Sequence, residues 1–392
     1  MTNRTIAEIH ALETTASANL NRDDTGSPKT VEYGGVTRAR VSSQAWKRPT
    51  RLMFRELLDE QDLGVRTKHV VDKLRTAIDN LDASLSDDSE KMAETVLETG
   101  AGIKLTAPRK KKNANNEDEE KARQSTYLLF LGNRQYDRLA QFAVNAWREV
   151  GDQKAFEAAI KAHKKDIKKI VQDDKAIDVA LFGRMVADDT DLNVDAAAQV
   201  AHAISVQAVD TESDYYTAVD DAKNDFHDEN EGGDQGAAML GEIEFNAATF
   251  YRYANVDANR LNDTLGDPKT TAKAVGTFIR AFVTSMPQGK INSFAQGTLP
   301  ELVIVNIRDT QAVNLVGAFE RPVRPDYVEH ATEALVEREQ QIDEAYGTAP
   351  IATWVIRIGD NTKAANLLAE PTNLKALIDD VEHVVEQRLA GE

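Results

Sequence analysis

Apolar and polar residues alternate near the start of the chain, where Ile6, Glu8, His10 and Leu12 interleave with Ala7, Ile9, Ala11 and Glu13. They alternate again over 36–41, which reads Val, Thr, Arg, Ala, Arg, Val. A period of two predicts strands. The period then lengthens. At about 100° per residue, Gln44, Lys47, Arg48, Arg51 and Arg55 fall within one arc, with Ala45, Trp46, Pro49, Met53 and Leu57 opposite. That pattern predicts a helix with one buried face and one cationic face. Ser42 and Ser43 supply N-cap chemistry, and the free N–H groups of the first turn add positive potential. Pro49 removes an N–H and disfavours helical geometry at Arg48, so a kink or restart is expected there.

From about Phe54 to Asp178 the pattern is long and helical. It is broken near 107–120 by Pro108, Arg109 and Lys110 to Lys112, read as an exposed loop inside a helical insertion. The stretch 209–241 is acidic, carries Tyr215 and Tyr216, and is glycine-rich at Gly232, Gly233 and Gly236, which predicts a projecting arm. A long strand over 242–256, a short helix over 271–282 and a buried strand over 301–307 follow. Strand, helix, strand, helix, strand with insertions predicts an α+β fold around a ferredoxin-like or RRM-like sheet.

With 392 residues, 41% of them hydrophobic, the chain can form two or three domains with substantial cores. The absence of Cys excludes disulfides and a thiolate nucleophile, and the seven His show no helical metal-ligand spacing. No metal or cofactor is expected. The N-terminus has no apolar signal region and the chain no apolar run of membrane-spanning length, so a cytoplasmic protein without a membrane partner is expected.

Charge changes the picture. The formal net charge is −18, yet Arg38, Arg40, Lys47, Arg48, Arg51 and Arg55 occur with no Asp or Glu among them. A strongly acidic protein does not coat nucleic acid indiscriminately; a phosphate backbone would have to be gripped in one restricted channel. The lysine run at 110–112, and Lys161, Lys164, Lys165, Lys168 and Lys169, read as solvated faces.

The sequences Leu20-Asn21-Arg22-Asp23-Asp24, Lys29, Gly34-Gly35, Arg38-Ala39-Arg40-Val41-Ser42-Ser43-Gln44 and Lys47-Arg48 form an ordered set. Ala180-Leu181-Phe182-Gly183-Arg184-Met185, Ile204-Ser205, Tyr216-Thr217-Ala218-Val219-Asp220-Asp221 and Phe250-Tyr251-Arg252-Tyr253-Ala254-Asn255 extend it. Over roughly the first two thirds of the chain this order and spacing resembles CasC, the backbone subunit of the type I-E CRISPR surveillance complex Cascade. The resemblance implies a hand: a palm from 1–53, 183–208 and 242–392, a helical finger insertion over 54–182, and a β-hairpin thumb over 209–241.

The resemblance further implies that copies stack head to tail along CRISPR RNA, that other Cascade subunits close the ends, and that a separately recruited helicase-nuclease cuts the target DNA. The chain itself is then not an enzyme. RNA-backbone contacts would fall on Arg22, Lys29, Arg40, Ser42, Gln44, Lys47, Arg48 and Arg51, with Arg38 as an addition. Such donors grip phosphate and ribose without reading bases. Met185, Tyr215, Tyr216 and Val219 would wedge and displace guide bases at intervals, leaving the rest to pair with target DNA. The plainer alternative is that Met185 and one Tyr pack the thumb onto the palm.

Two rival readings remain. A metal-dependent ribonuclease would rest on Asp23 and Asp24, or on Asp220, Asp221 and Asp225, although an ion pair orienting Arg22 is the simpler role for the first pair. A standalone RRM-like regulator would need RNP motifs that the sequence lacks. The acidic residues Asp228, Glu229, Glu231 and Asp234 lack an EF-hand pattern.

Overall fold

The computed structural model describes residues 4–107, 122–173, 176–186, 189–218 and 239–391. The first alternating segment is a long strand, β1 (Ile6–Ala18), and the second is β3 (Val36–Val41), preceded by β2 (Thr30–Tyr33). Further strands are β4 (Ala203–Ser205), β5 (Glu212–Ala218), β6 (Met239–Asp257), β7 (Leu302–Arg308) and β8 (Ala352–Arg357). The sheet runs β8-β7-β1-β6-β4-β3-β2, with β5 paired to the early part of β6. Residues 6–12 of β1 pair antiparallel with β7, from Ile6 opposite Arg308 to Leu12 opposite Leu302.

The chain divides into two units: one from residues 1–53, 200–255 and 275–384, the other from 54–199, 256–274 and 385–392. In the first unit Leu12, Tyr251, Leu302, Ile304, Phe319, Leu335 and Val355 belong to one apolar core. The second unit is mainly helical. Its helices include Val70–Leu81, Asn133–Val150, Gln153–Ala162 and Lys164–Gln172, and its core contains Leu74, Ile78, Leu131, Leu139, Val144, Phe156 and Ile167. Local signals fix its corners: the Gln135 side chain accepts the Gly132 N–H at 2.9 Å, Gly151 takes the left-handed conformation that ends Asn133–Val150, and Asp152 caps the helix that follows.

The alternation in β1 does not mark a solvent-facing side. Ile6 through Glu13 are all buried, and the polar members enter buried networks. The Arg308 guanidinium donates to Glu8 at 2.6 Å, to Asp343 at 2.6 Å and to the Thr348 carbonyl. His10 Nδ1 lies 2.8 Å from the Tyr251 hydroxyl. Burial opposes ionisation of Glu8, but hydrogen bonding and charge from His10, the Arg308 cation and the Val313 N–H together hold its carboxyl below the usual range.

Glu13 belongs to a second network. It accepts from the buried Arg252 on β6, which also donates to the Phe282 carbonyl. The same guanidinium lies 3.9 Å from the centre of the Trp46 ring and 4.6 Å from that of Phe282. This stacking connects the sheet to the helix that carries the cationic face. Arg252→Met should leave Glu13 buried without its partner and cost about 3–5 kcal/mol in urea denaturation. Adding Glu13→Leu should recover much of that loss. A single variant within about 1 kcal/mol of the parent would contradict the assignment.

Candidate nucleic-acid interface

The helix α1 (Ser43–Leu57) forms where the sequence places it and runs unbroken through Pro49. The expected restart at that residue is not formed. Its buried stripe also differs from the expected one: Trp46, Thr50 and Phe54 are buried, whereas Ala45, Pro49 and Met53 are only half-buried. Thr50 reaches this stripe because its hydroxyl has partners inside, donating to the Trp46 carbonyl at 2.9 Å and lying 3.2 Å from the Ser285 hydroxyl. Gln44, Arg48 and Arg55 are exposed on the outer side, and Lys47 and Arg51 are half-buried. Burial pulls the Lys47 ammonium below the usual lysine value.

Backbone pairing brings a second set of donors beside the start of α1. Arg22 bridges to Pro28, the Lys29 N–H donates to the Asn21 carbonyl at 2.9 Å, and the Arg40 N–H donates to the Lys29 carbonyl at 2.8 Å. Because Thr30 pairs with Ala39, the same register sets Lys29 opposite Arg40. The Asn21 side chain accepts the Ser42 N–H at 2.9 Å, and Ser42 in turn accepts the Ala45 N–H at 3.0 Å. Buried Asn19 steadies the loop from behind, donating to the carbonyls of Gly26 at 3.0 Å and Glu244 at 2.8 Å. Arg22, Lys29, Arg40 and the N-terminus of α1 are therefore held together by main-chain geometry. A cleft of about 10 Å³, room for about one water, lies among Asn21, Lys29, Arg40, Asn246 and Phe250.

Two residues of the expected contact set are buried. Arg38 is fully buried, and its guanidinium donates to the carbonyls of Tyr33, Ser205, Val206 and Phe319 at 2.7–3.2 Å. It holds the β2–β3 hairpin in place and is not open to a phosphate. Ser42 is buried too, with its N–H held by Asn21 and its carbonyl accepting the Ala45 N–H at the start of α1. The ion pair expected between Arg22 and the neighbouring carboxylates is not formed. One Asp23 oxygen instead accepts from the Thr25 hydroxyl at 2.7 Å and from the N–H groups of Thr25, Gly26 and Ser27 at 2.9–3.0 Å. Those donors, the Thr25 hydroxyl foremost, lower the Asp23 carboxyl below the ordinary aspartate value.

His202 escaped the sequence reading, although it stands two residues before the Ile204-Ser205 pair. Its Nδ1 lies 3.0 Å from Arg40 Nη1. Burial, then the positive charges of Arg40 and Lys29, lower its pKa below the ordinary histidine value.

On the hairpin of β5 and β6, Tyr216 pairs with Gly241 and Tyr215 with Glu242. A Cβ at Gly241 would sit 2.4 Å from the Tyr216 ring, so that ring covers the glycine. Tyr215, on the other face of the strand, is 65% exposed. Met185, in the helical unit, is 84% exposed. Val219 lies outside the described residues, as do Asp220, Asp221, Asp225, the acidic group 228–234 and the lysines at 110–112. Of the other lysine run, Lys168 is paired with Asp189 at 2.9 Å. Among the described residues no group of His, Asp and Glu is arranged to hold a metal ion, and no helix is long and apolar enough to cross a membrane.

Residues 7–380 match the family of CT1975-like proteins. The chain belongs to that family. A chain of a CRISPR RNA-guided surveillance complex, pre-nicking, is 31% identical with a TM-score of 0.80, over 97% of the CT1975-like chain and 100% of its own length. A chain of a second CRISPR RNA-guided surveillance complex is 27% identical with a TM-score of 0.68, over 96% and 99% respectively. Comparison with curated proteins gave no match.

Asp23→Ala should release the Thr25, Gly26 and Ser27 amides, read as faster hydrogen exchange at those three positions. Because the Asp23 carboxyl is lowered in the folded chain, protection in the parent should be full above the ordinary aspartate pKa and fall away as pH drops through the lowered value. Unchanged exchange in the variant would contradict these hydrogen bonds.

Proposed function

We propose that this chain is a CasC-like backbone subunit of a type I-E CRISPR surveillance complex. It binds CRISPR RNA through its sugar-phosphate backbone, stacks head to tail with further copies, and presents guide bases for pairing with target DNA. The observation that carries this reading is the close placement of Lys29 opposite Arg40, beside Arg22 and the N-terminus of α1. Like charges set opposite each other across strands cost stability, and an entering phosphate turns that cost into attraction. Family membership and the likeness to chains of CRISPR RNA-guided surveillance complexes support the choice of ligand.

An RRM-like palm is supported by strand order. Leaving aside the hairpin of β2 and β3, the strands β7, β1, β6 and β4 stand as fourth, first, third and second in chain order, with α1 after the first and the helix Pro268–Thr284 after the third. That is the split βαβ arrangement. Tyr215 and Met185, both largely exposed, are suited to meet unstacked bases as the thumb displaces them. Other Cascade subunits terminate the stack, and a recruited helicase-nuclease does the cutting. The chain works as a scaffold without catalysis of its own; of the pair Asp23 and Asp24 on which a ribonuclease reading leaned, Asp23 has one oxygen engaged in its own loop.

If each protomer neutralises about four phosphates, log K should fall with log salt at a slope near −3. Lys29→Glu with Lys47→Glu should weaken guide binding regardless of RNA sequence and bring the slope to about half that value. Unchanged affinity and slope, measured by filter binding, would contradict the channel.

A further inference from the structure

His202 lies beside the cradle but belongs to none of the motifs that predict it. It immediately precedes β4, whose Ile204 pairs with Arg40 and whose Ala203 pairs with Val41, so it stands at the edge of β3 on the side away from Lys29. A guanidinium donates and never accepts. At 3.0 Å from Arg40 Nη1, His202 Nδ1 is therefore the acceptor, and the neutral ring carries its hydrogen on Nε2. The charged groups that act on the ring are Arg40, from β3, and Lys29, from the loop leading into β2. Among the described residues no carboxylate is one of them.

We propose that His202 is a further ligand of the guide RNA, a proton-linked one that becomes imidazolium when a phosphate enters between Lys29 and Arg40. Without a phosphate the positive charges of Arg40 and Lys29 already act on the ring, and a third charge is disfavoured. A phosphate cancels their field and offers an acceptor, so the charged ring gains a charge-assisted hydrogen bond. The proton comes from solvent and adds to Nδ1, the one ring nitrogen without a hydrogen; the hydrogen bond from Arg40 is given up, the Arg40 N–H turns to the phosphate, and the new N–H is the only covalent bond formed. Binding then draws a proton onto His202, and by linkage acidification strengthens binding between the free and the bound pKa of the ring.

This inference rests on the RNA-binding reading above, and one experiment separates the two. The affinity of the full chain for a single-stranded oligouridylate is measured from pH 8 to pH 5.5 at constant ionic strength, a range in which uracil does not titrate. The parent should bind more tightly as pH falls, by up to about tenfold per pH unit, the ceiling for uptake of one proton. His202→Gln keeps a neutral acceptor for Arg40 and should bind with an affinity that does not change with pH. Weakening by a constant factor at every pH, with the slope retained, would mean that His202 only positions Arg40, and would overturn the proposal. A parent that binds equally at all pH values would overturn it as well. A parent that binds no oligouridylate at any pH would overturn the cradle reading itself, and this inference with it.

Discussion

The basic helix depends on one buried guanidinium. Arg252 sits inside the first unit, held by Glu13 from β1 and the Phe282 carbonyl, with Trp46 of α1 stacked on it. Arg252 cannot shed its charge, so burying it requires a fixed carboxylate and fixed ring faces. Trp46 thereby sets the rotation of α1 about its own axis. With Trp46 and Thr50 inward, Gln44 and Arg48 are turned outward as a consequence.

The cationic loop obeys a similar logic with weaker parts. Asn21, Asn19 and Asp23 carry no net favourable charge toward an anion, yet they determine where Arg22 and Lys29 stand, because each satisfies main-chain donors or acceptors of the loop. Their work leaves Arg22 and Lys29 without an ion-paired carboxylate among the described residues. In a chain with a net charge of −18 that separation is a strong constraint. It explains why Asp23, next in sequence to Arg22, turns its carboxylate onto three amides and a hydroxyl rather than onto the arginine.

Much of this was legible from the chain. The limits of β3, the start of α1 and its outward cations follow from local period and capping. What local pattern does not reveal is which face a distant segment covers. Arg38 and Arg40 share one face of β3, but the carbonyls of Phe319 and Glu320 close over Arg38 only. The same segment crowds the hairpin turn: a Cβ at Gly34 would lie 1.7 Å from the Glu320 carbonyl. Likewise Glu8, His10 and Glu13 alternate as in a half-exposed strand, and only partners far along the chain, Arg308, Tyr251 and Arg252, make their burial tolerable. His202 was missed for the same reason, since its meaning comes from a strand more than 160 residues earlier.

The central claim, that these cations grip a guide, is tested most directly by purifying the protein from cells that also express its neighbouring genes and a CRISPR array, then measuring particle mass and RNA content. The account predicts a large ribonucleoprotein with several copies of this chain on one processed guide RNA. An RNA-free monomer under the same conditions would contradict it.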